Sequence, residues 1–145
     1  MGNKKKGDSL REEEEVMKER LGAEQGDAEA QVLIGMGYLR GERVAMDEKK
    51  AAMWFRKAAE QGDDMGQLML GVCYEMGAGV PLDYDEAVEW FRKAAAQGNA
   101  AAQFKMGVCF AQGQGVEQDL ARAEKWYRKS AMQGNAYAQS NRLMR

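Results

Sequence analysis

The chain has 145 residues, 45% hydrophobic and 30% charged, a balance that fits one folded domain and not a disordered segment. Its net charge of -2 supplies no field to draw nucleic acid or an anionic membrane, and no window nears the roughly 18 consecutive apolar residues of a membrane span. With no histidine and two cysteines, the sequence excludes Ser-His-Asp and Cys-His catalysis, histidine metal sites, a histidine pH switch, a four-cysteine zinc site and a disulfide framework.

The N-terminus is basic (Lys4, Lys5, Lys6), but the charged run Arg11 to Glu15 follows it where a signal peptide would be apolar. As written, the chain is expected to be cytoplasmic, although a removed export signal would leave no trace. Gly2 does not read as a myristoylation site, because Lys6 stands where that motif takes Ser or Thr. Residues 1–8 are expected to form a disordered basic end. Residues 9–26 are expected to form a capping helix, from about Leu10 to Ala23, opened by the capping box Ser9-x-x-Glu12. The carboxylates Glu12 to Glu15 read as complements of the helix dipole facing water, not as acid–base machinery.

From there the chain repeats itself. Gln-Gly pairs at Gln25, Gln61, Gln97 and Gln133 recur at a step of 36 residues, as do Gln31, Gln67, Gln103 and Gln139. Gly35, Gly71 and Gly107 keep the step, and so do Gly41, Gly77 and Gly113, then Asp47, Asp83 and Asp119. Trp54, Trp90 and Trp126 follow, each beside Phe or Tyr and then Arg-Lys. Three repeats are read at 27–62, 63–98 and 99–134, with 135–145 as a C-terminal capping helix that resembles the start of a fourth unit.

Each unit reads as helix A, loop, helix B. In repeat two, helix A is expected from Asp63 to Met76, a Gly77-Ala78-Gly79-Val80 turn follows, Asp83 caps helix B, and Gly98 stops it. Ala87, Val88, Phe91, Ala94 and Ala95 form one apolar stripe on helix B. Small residues at Gly71 and Ala94 are expected to let helix backbones approach. The tryptophans are expected to be core and to fill the space between layers. The glycine turn lacks the lysine of a phosphate-binding loop and recurs, so it reads as structure. Such a helical pair cannot bury its stripe alone but can do so when stacked, which predicts an all-α solenoid in one domain.

These residues resemble the Sel1-like repeat family, relatives of the tetratricopeptide repeats. Repeat two carries the family pattern as Leu70-Gly71, Tyr74, Gly77, Gly79-Val80, Asp83, Ala87, Trp90-Phe91, Lys93-Ala94-Ala95 and Gly98. Repeat three substitutes Met106, Phe110 and Ser130; repeat one departs at Arg43, where the turn's second glycine belongs. If that position needs positive φ, Arg43 bears a strain of about 1–2 kcal/mol, and the loop is expected to be shaped differently. At the N-terminus, residues 11–26 align with helix B, with Lys18 and Glu19 replacing the Trp-aromatic pair, as a solvated cap requires. The resemblance implies a right-handed α-solenoid whose A helices line a concave face, and a non-catalytic adaptor role in protein–protein interaction.

Cysteine-rich members of that family pair cysteines within a repeat. Here Cys73 and Cys109 occupy one slot in neighbouring repeats, about 8–10 Å apart by helix packing and beyond disulfide reach, so they are expected to be free, buried thiols. By analogy with tetratricopeptide repeats, the groove is expected at Val32, Met36, Leu39 and Arg40, at Leu68, Val72, Glu75 and Met76, and at Phe104, Val108, Ala111 and Gln112. The expected occupant is a protein segment, either a peptide or a partner helix. No cofactor, metal, nucleic acid or membrane is expected. The chain is expected to be a monomer, with weak head-to-tail association conceivable from its unequal ends. The alternative is a structural or self-assembling scaffold, engineered or truncated, although repeats two and three differ at more than half their positions. An enzymatic reading would need two carboxylates buried together in a cleft.

Overall fold

The computed structural model describes residues 6–135, 138 and 139. Seven helices follow one another: α1 (Lys6–Glu24), α2 (Ala28–Arg40), α3 (Glu48–Glu60), α4 (Asp64–Met76), α5 (Tyr84–Ala96), α6 (Ala100–Gln112) and α7 (Leu120–Met132). No strand occurs among the described residues. Helices α2, α4 and α6 are the A helices and α3, α5 and α7 the B helices. Each packs on its neighbours in chain order, and α2 also meets α4.

The helix ends follow from the repeated polar residues. The N-caps are Asp27, Asp47, Asp63, Asp83, Asn99 and Asp119; each has extended backbone, and its side chain accepts a hydrogen bond from the N–H three residues on. Gly41, Gly77 and Gly113 end the A helices in the left-handed conformation, at φ 69, 67 and 67. Asn135 repeats the cap, its Oδ1 accepting from the Ala138 N–H at 2.9 Å. The rest of the expected closing helix lies outside the described residues. At the other end α1 begins at Lys6, so residues 6–8 are helical and Ser9 lies within the helix and not at its start. Lysine is a good helix former, and no proline stands in the way of upstream extension.

The core alternates along the chain. One cluster gathers Ala51, Phe55, Ala58 and Ala59 of α3 with Leu70 and Cys73 of α4. The next gathers Ala87, Val88, Phe91 and Ala94 of α5 with Ala102, Met106 and Cys109 of α6 and Tyr127 of α7. The aromatic residues beside the tryptophans, Phe55, Phe91 and Tyr127, are therefore buried. Trp54, Trp90 and Trp126 themselves are half-buried, each with the lysine three residues on lying over its ring at 4.7, 4.4 and 5.0 Å. This corrects the expected core role. Trp90 nonetheless bridges layers, packing on the cluster of the preceding repeat.

The glycines of the A helices accommodate those buried rings. A Cβ at Gly35, Gly71 or Gly107 would lie 2.6, 2.6 or 2.5 Å from an atom of Phe55, Phe91 or Tyr127. Helix backbones also approach at Gly71, where a Cβ would lie 3.3 Å from the Ala87 carbonyl oxygen, and more closely at Gly66, where it would sit 2.7 Å from the Ala59 nitrogen.

The recurring glutamines form a ladder between layers. Gln67 is buried; its Oε1 accepts from Gln97 Nε2 at 2.8 Å and its Nε2 donates to the Ala59 carbonyl at 3.4 Å. Gln61–Gln31 and Gln133–Gln103 repeat the pairing at 2.8 and 2.6 Å. Each buried amide thus finds partners in the layers that it joins, as its desolvation demands.

The repeat-one loop keeps the shape of the others. Arg43 has φ 68, beside 75 at Gly79 and 70 at Gly115, so the expectation of a different loop is overturned. Gly41 and the Asp47 cap fix both ends of the turn, and Arg43 takes up the strained conformation between them.

Candidate functional site

The A helices carry apolar residues on nearly every side, and packing decides which side stays free. In α4 the neighbours bury Gly66, Gln67, Leu68, Leu70, Gly71 and Cys73. Met65, Met69, Val72 and Met76, spaced four, three and four apart, form the open side. The same slots hold Glu29, Leu33, Met36 and Arg40 in α2, and Ala101, Lys105, Val108 and Gln112 in α6. Leu33, Met65 and Met76 are 49%, 42% and 65% exposed, so the face presents accessible apolar side chains in its first two repeats. Lys105 marks its third repeat with a charge.

Six of the expected groove residues lie on this face. Met36, Val72 and Val108 are half-buried along it, and Arg40, Met76 and Gln112 are exposed at its end. Of the other six, five lie off this line of slots and Glu75 is tied to it. Val32 and Leu68 are buried and cannot meet a partner. Phe104 packs on the second core cluster with its ring 5.7 Å from that of Tyr127. Leu39 and Ala111 occupy other slots and are half-buried against the core clusters, as Met36, Val72 and Val108 also are on their inner side. Glu75 Oε1 holds the Lys105 ammonium at 2.8 Å, an ion pair between adjacent A helices.

Sequence reasoning missed Leu33, Met65 and Met69, along with Glu29, Ala101 and Lys105. The indication lay in the repeats themselves. Within the A helices, Gln31/Gln67/Gln103 and Gly35/Gly71/Gly107, the same in every repeat, are buried. Among the A-helix slots that vary, Glu29/Met65/Ala101 is exposed and Leu33/Met69/Lys105 is exposed to half-buried, although the equally variable Val32/Leu68/Phe104 turns inward.

A cavity of about 260 Å³ opens at the N-terminal end of this face, between α1 and α2. Val16, Leu33, Ile34 and Val44 contribute its apolar wall, and Arg20, Arg40 and Arg43 with Glu19 and Glu42 its charges. The Arg43 guanidinium lies 3.3 Å from Glu19 and 3.9 Å from Glu15.

Reactive chemistry finds no place to gather. Cys73 and Cys109 are free and buried, as expected; burial first, then the nearby Glu48 and Glu75 carboxylates respectively, push both thiols up to about 11, while Lys105 opposes the shift at Cys109. Such thiols stay protonated and unreactive at neutral pH. The buried carboxylate among the described residues is Glu124, 3.2 Å from Arg128. Among those residues no group of three or more Cys, Asp or Glu is placed to hold a metal ion, and no helix is long and apolar enough to cross a membrane.

Stacked helical pairs with capped, glycine-punctuated turns and glutamine-linked layers define an α-helical repeat solenoid. The Sel1 repeat profile matches residues 28–63, 64–99 and 100–135, and the chain belongs to the Sel1 repeat family. Its phase differs by one residue from the repeats read from sequence. Among solved structures, a Sel1 repeat protein from Oxalobacter formigenes is 34% identical, with a TM-score of 0.78, over 88% of this chain and 96% of that one. A protective antigen of uropathogenic Escherichia coli with the same fold is 42% identical, with a TM-score of 0.80, over 83% of this chain; the match spans only 26% of that longer protein. The Helicobacter pylori cysteine-rich protein B, 23% identical with a TM-score of 0.68 over 86% of this chain and 95% of its own, shares the fold. No curated protein sequence matches the chain. Sel1 repeat proteins are generally protein-interaction scaffolds and typically not enzymes.

Proposed function

We propose that the chain is a non-catalytic protein-interaction module that holds a peptide or partner helix on the concave face formed by its A helices. One observation carries this reading: the open side of α4 is four apolar side chains in a row, Met65, Met69, Val72 and Met76, joined by Leu33 and Met36 of α2. Met36, Met69 and Val72 pack on the core by one side, but Leu33, Met65 and Met76 stand exposed beside them, where solvation would favour polar residues. Methionine side chains adapt to irregular partner surfaces. Specificity would come from the slots that differ between repeats, Leu33/Met69/Lys105 and Arg40/Met76/Gln112.

The test is capture of partners from host extract, read by mass spectrometry, beside a Leu33→Lys/Met65→Lys/Met76→Lys variant. These positions are exposed enough for the variant to keep its helicity. A protein enriched by the parent chain and lost with the folded variant supports the face; equal enrichment by both refutes it.

A further inference from the structure

We infer that the cavity between α1 and α2 is an anchoring pocket for an acidic partner segment, taking a bulky apolar side chain into its wall and a flanking carboxylate onto Arg20 and Arg40. The inference rests on the A-face reading above, since Leu33 and Met36 belong to both surfaces.

The pocket exists because of one departure from the repeat. A Cβ at Gly79 would lie 2.1 Å from the Glu48 carbonyl oxygen, and one at Gly115 would lie 2.4 Å from that of Tyr84. In repeats two and three the loop therefore lies directly on the start of the preceding B helix. Repeat one has Arg43 in that slot, in the same left-handed conformation but with a Cβ and a long side chain. So close an approach by α1 is blocked, and about 260 Å³ is left between α1, α2 and the loop. An apolar cavity of about 150 Å³ holds benzene. This volume therefore takes a leucine or phenylalanine side chain with room to spare.

The charges select the occupant. Of the three guanidiniums that line the pocket, Arg43 is engaged by Glu15 and Glu19. Arg20 and Arg40 have no ion pair or hydrogen bond among the described residues, and only the Glu42 carboxylate remains on the wall to offset them. The pocket is thus apolar inside, and the Arg20 and Arg40 guanidiniums, which no described carboxylate pairs, complement a carboxylate beside a large apolar residue.

The test is an amide proton–nitrogen NMR titration with an N-acetylated, C-amidated Glu-Leu-Leu-Glu peptide and its Gln-Leu-Leu-Gln and Lys-Leu-Leu-Lys counterparts. The acidic peptide should shift the Gly37 and Val44 amides and bind about tenfold more tightly than the glutamine version. Arg20→Gln/Arg40→Gln should erase that difference, and Arg20→Glu/Arg40→Glu should transfer the preference to the lysine peptide. Both positions are exposed, so the variants should fold. Equal binding of the three peptides, no shift at millimolar peptide, or an acidic preference that survives Arg20→Gln/Arg40→Gln would overturn the pocket. Shifts confined to Val72 and Val108 would overturn it too, while leaving the A face as the binding surface.

Discussion

Replacing Gly71 by alanine should destabilise the chain although alanine is the better helix former. In a helix interior the exchange gains about 0.8–1.0 kcal/mol from propensity. Against this, the new Cβ would lie 2.6 Å from Phe91 Cε1, 2.7 Å from Cδ1 and 3.3 Å from the Ala87 carbonyl oxygen. Carbon atoms rest at about 3.5–4.0 Å, so the ring would have to retreat by about 1 Å. Phe91 is 0% exposed and enclosed by α5, α6 and α7 residues of its cluster. Overpacking costs about 1–3 kcal/mol, and an enclosed ring belongs toward the upper end, leaving a net loss of about 1–2 kcal/mol. For a chain of this size that is about 3–8 °C in melting temperature. Urea denaturation followed by circular dichroism measures the change. Gly37→Ala in α2 is the control. Its Cβ would meet only the Glu42 carbonyl oxygen, at 3.2 Å, and it should gain a few tenths of a kcal/mol. Combining Gly71→Ala with Phe91→Leu should show favourable coupling of about 0.5 kcal/mol or more, because leucine removes the ring edge. A Gly71→Ala variant as stable as the parent would refute the argument that the ring requires the glycine.

Further outcomes follow from the caps, the strained turn and the buried thiols. Asp83→Ala should cost about 1 kcal/mol, since the Glu86 N–H loses an acceptor at 3.1 Å, and Asp83→Asn should cost little; urea midpoints separate the two. Arg43→Gly should raise stability by about 1 kcal/mol, because relief of φ 68 outweighs exposed ion pairs at 3.3 and 3.9 Å; a thermal melt showing a decrease would assign the larger share to the ion pairs. The Cys73 and Cys109 thiols titrate near 9.0 unfolded and at about 11 folded. Their contribution is therefore whole below pH of about 9 and is lost as the pH rises toward about 11, because the unfolded chain releases those protons first. Stability measured across that window should fall, and by less in Cys73→Ala/Cys109→Ala; Tyr127, also raised by burial and by Cys109, adds to the fall at its upper end.

The recurring polar and glycine positions determine much of the fold by themselves. Asp63 caps α4 and Asp83 caps α5 because an unpaired helix N-terminus needs an acceptor, whatever lies around it. Gly77 ends α4 because the left-handed turn excludes a side chain at little cost only for glycine. Helix B was legible to its core residues, since one apolar stripe on an otherwise charged helix has one way to be buried, and Ala87, Val88, Phe91, Ala94 and Ala95 are all inside. The tryptophan beside that stripe was not. Residue size marked it as core, yet Trp90 lies over the edge of the layer beneath Lys93 while Phe91 takes the interior.

Only the tertiary structure decided which face of helix A is free. Where almost every side of α4 is apolar, periodicity tells which residues share a face but not which face the neighbours occupy. That is set by how α3 and α5 pack against it, and the outcome buries Leu68 and exposes Met65. The same holds for the cavity. Arg43 is visible in the sequence as a missing glycine, but the space it opens depends on how closely the loops of later repeats approach the helix before them, a distance no single segment contains.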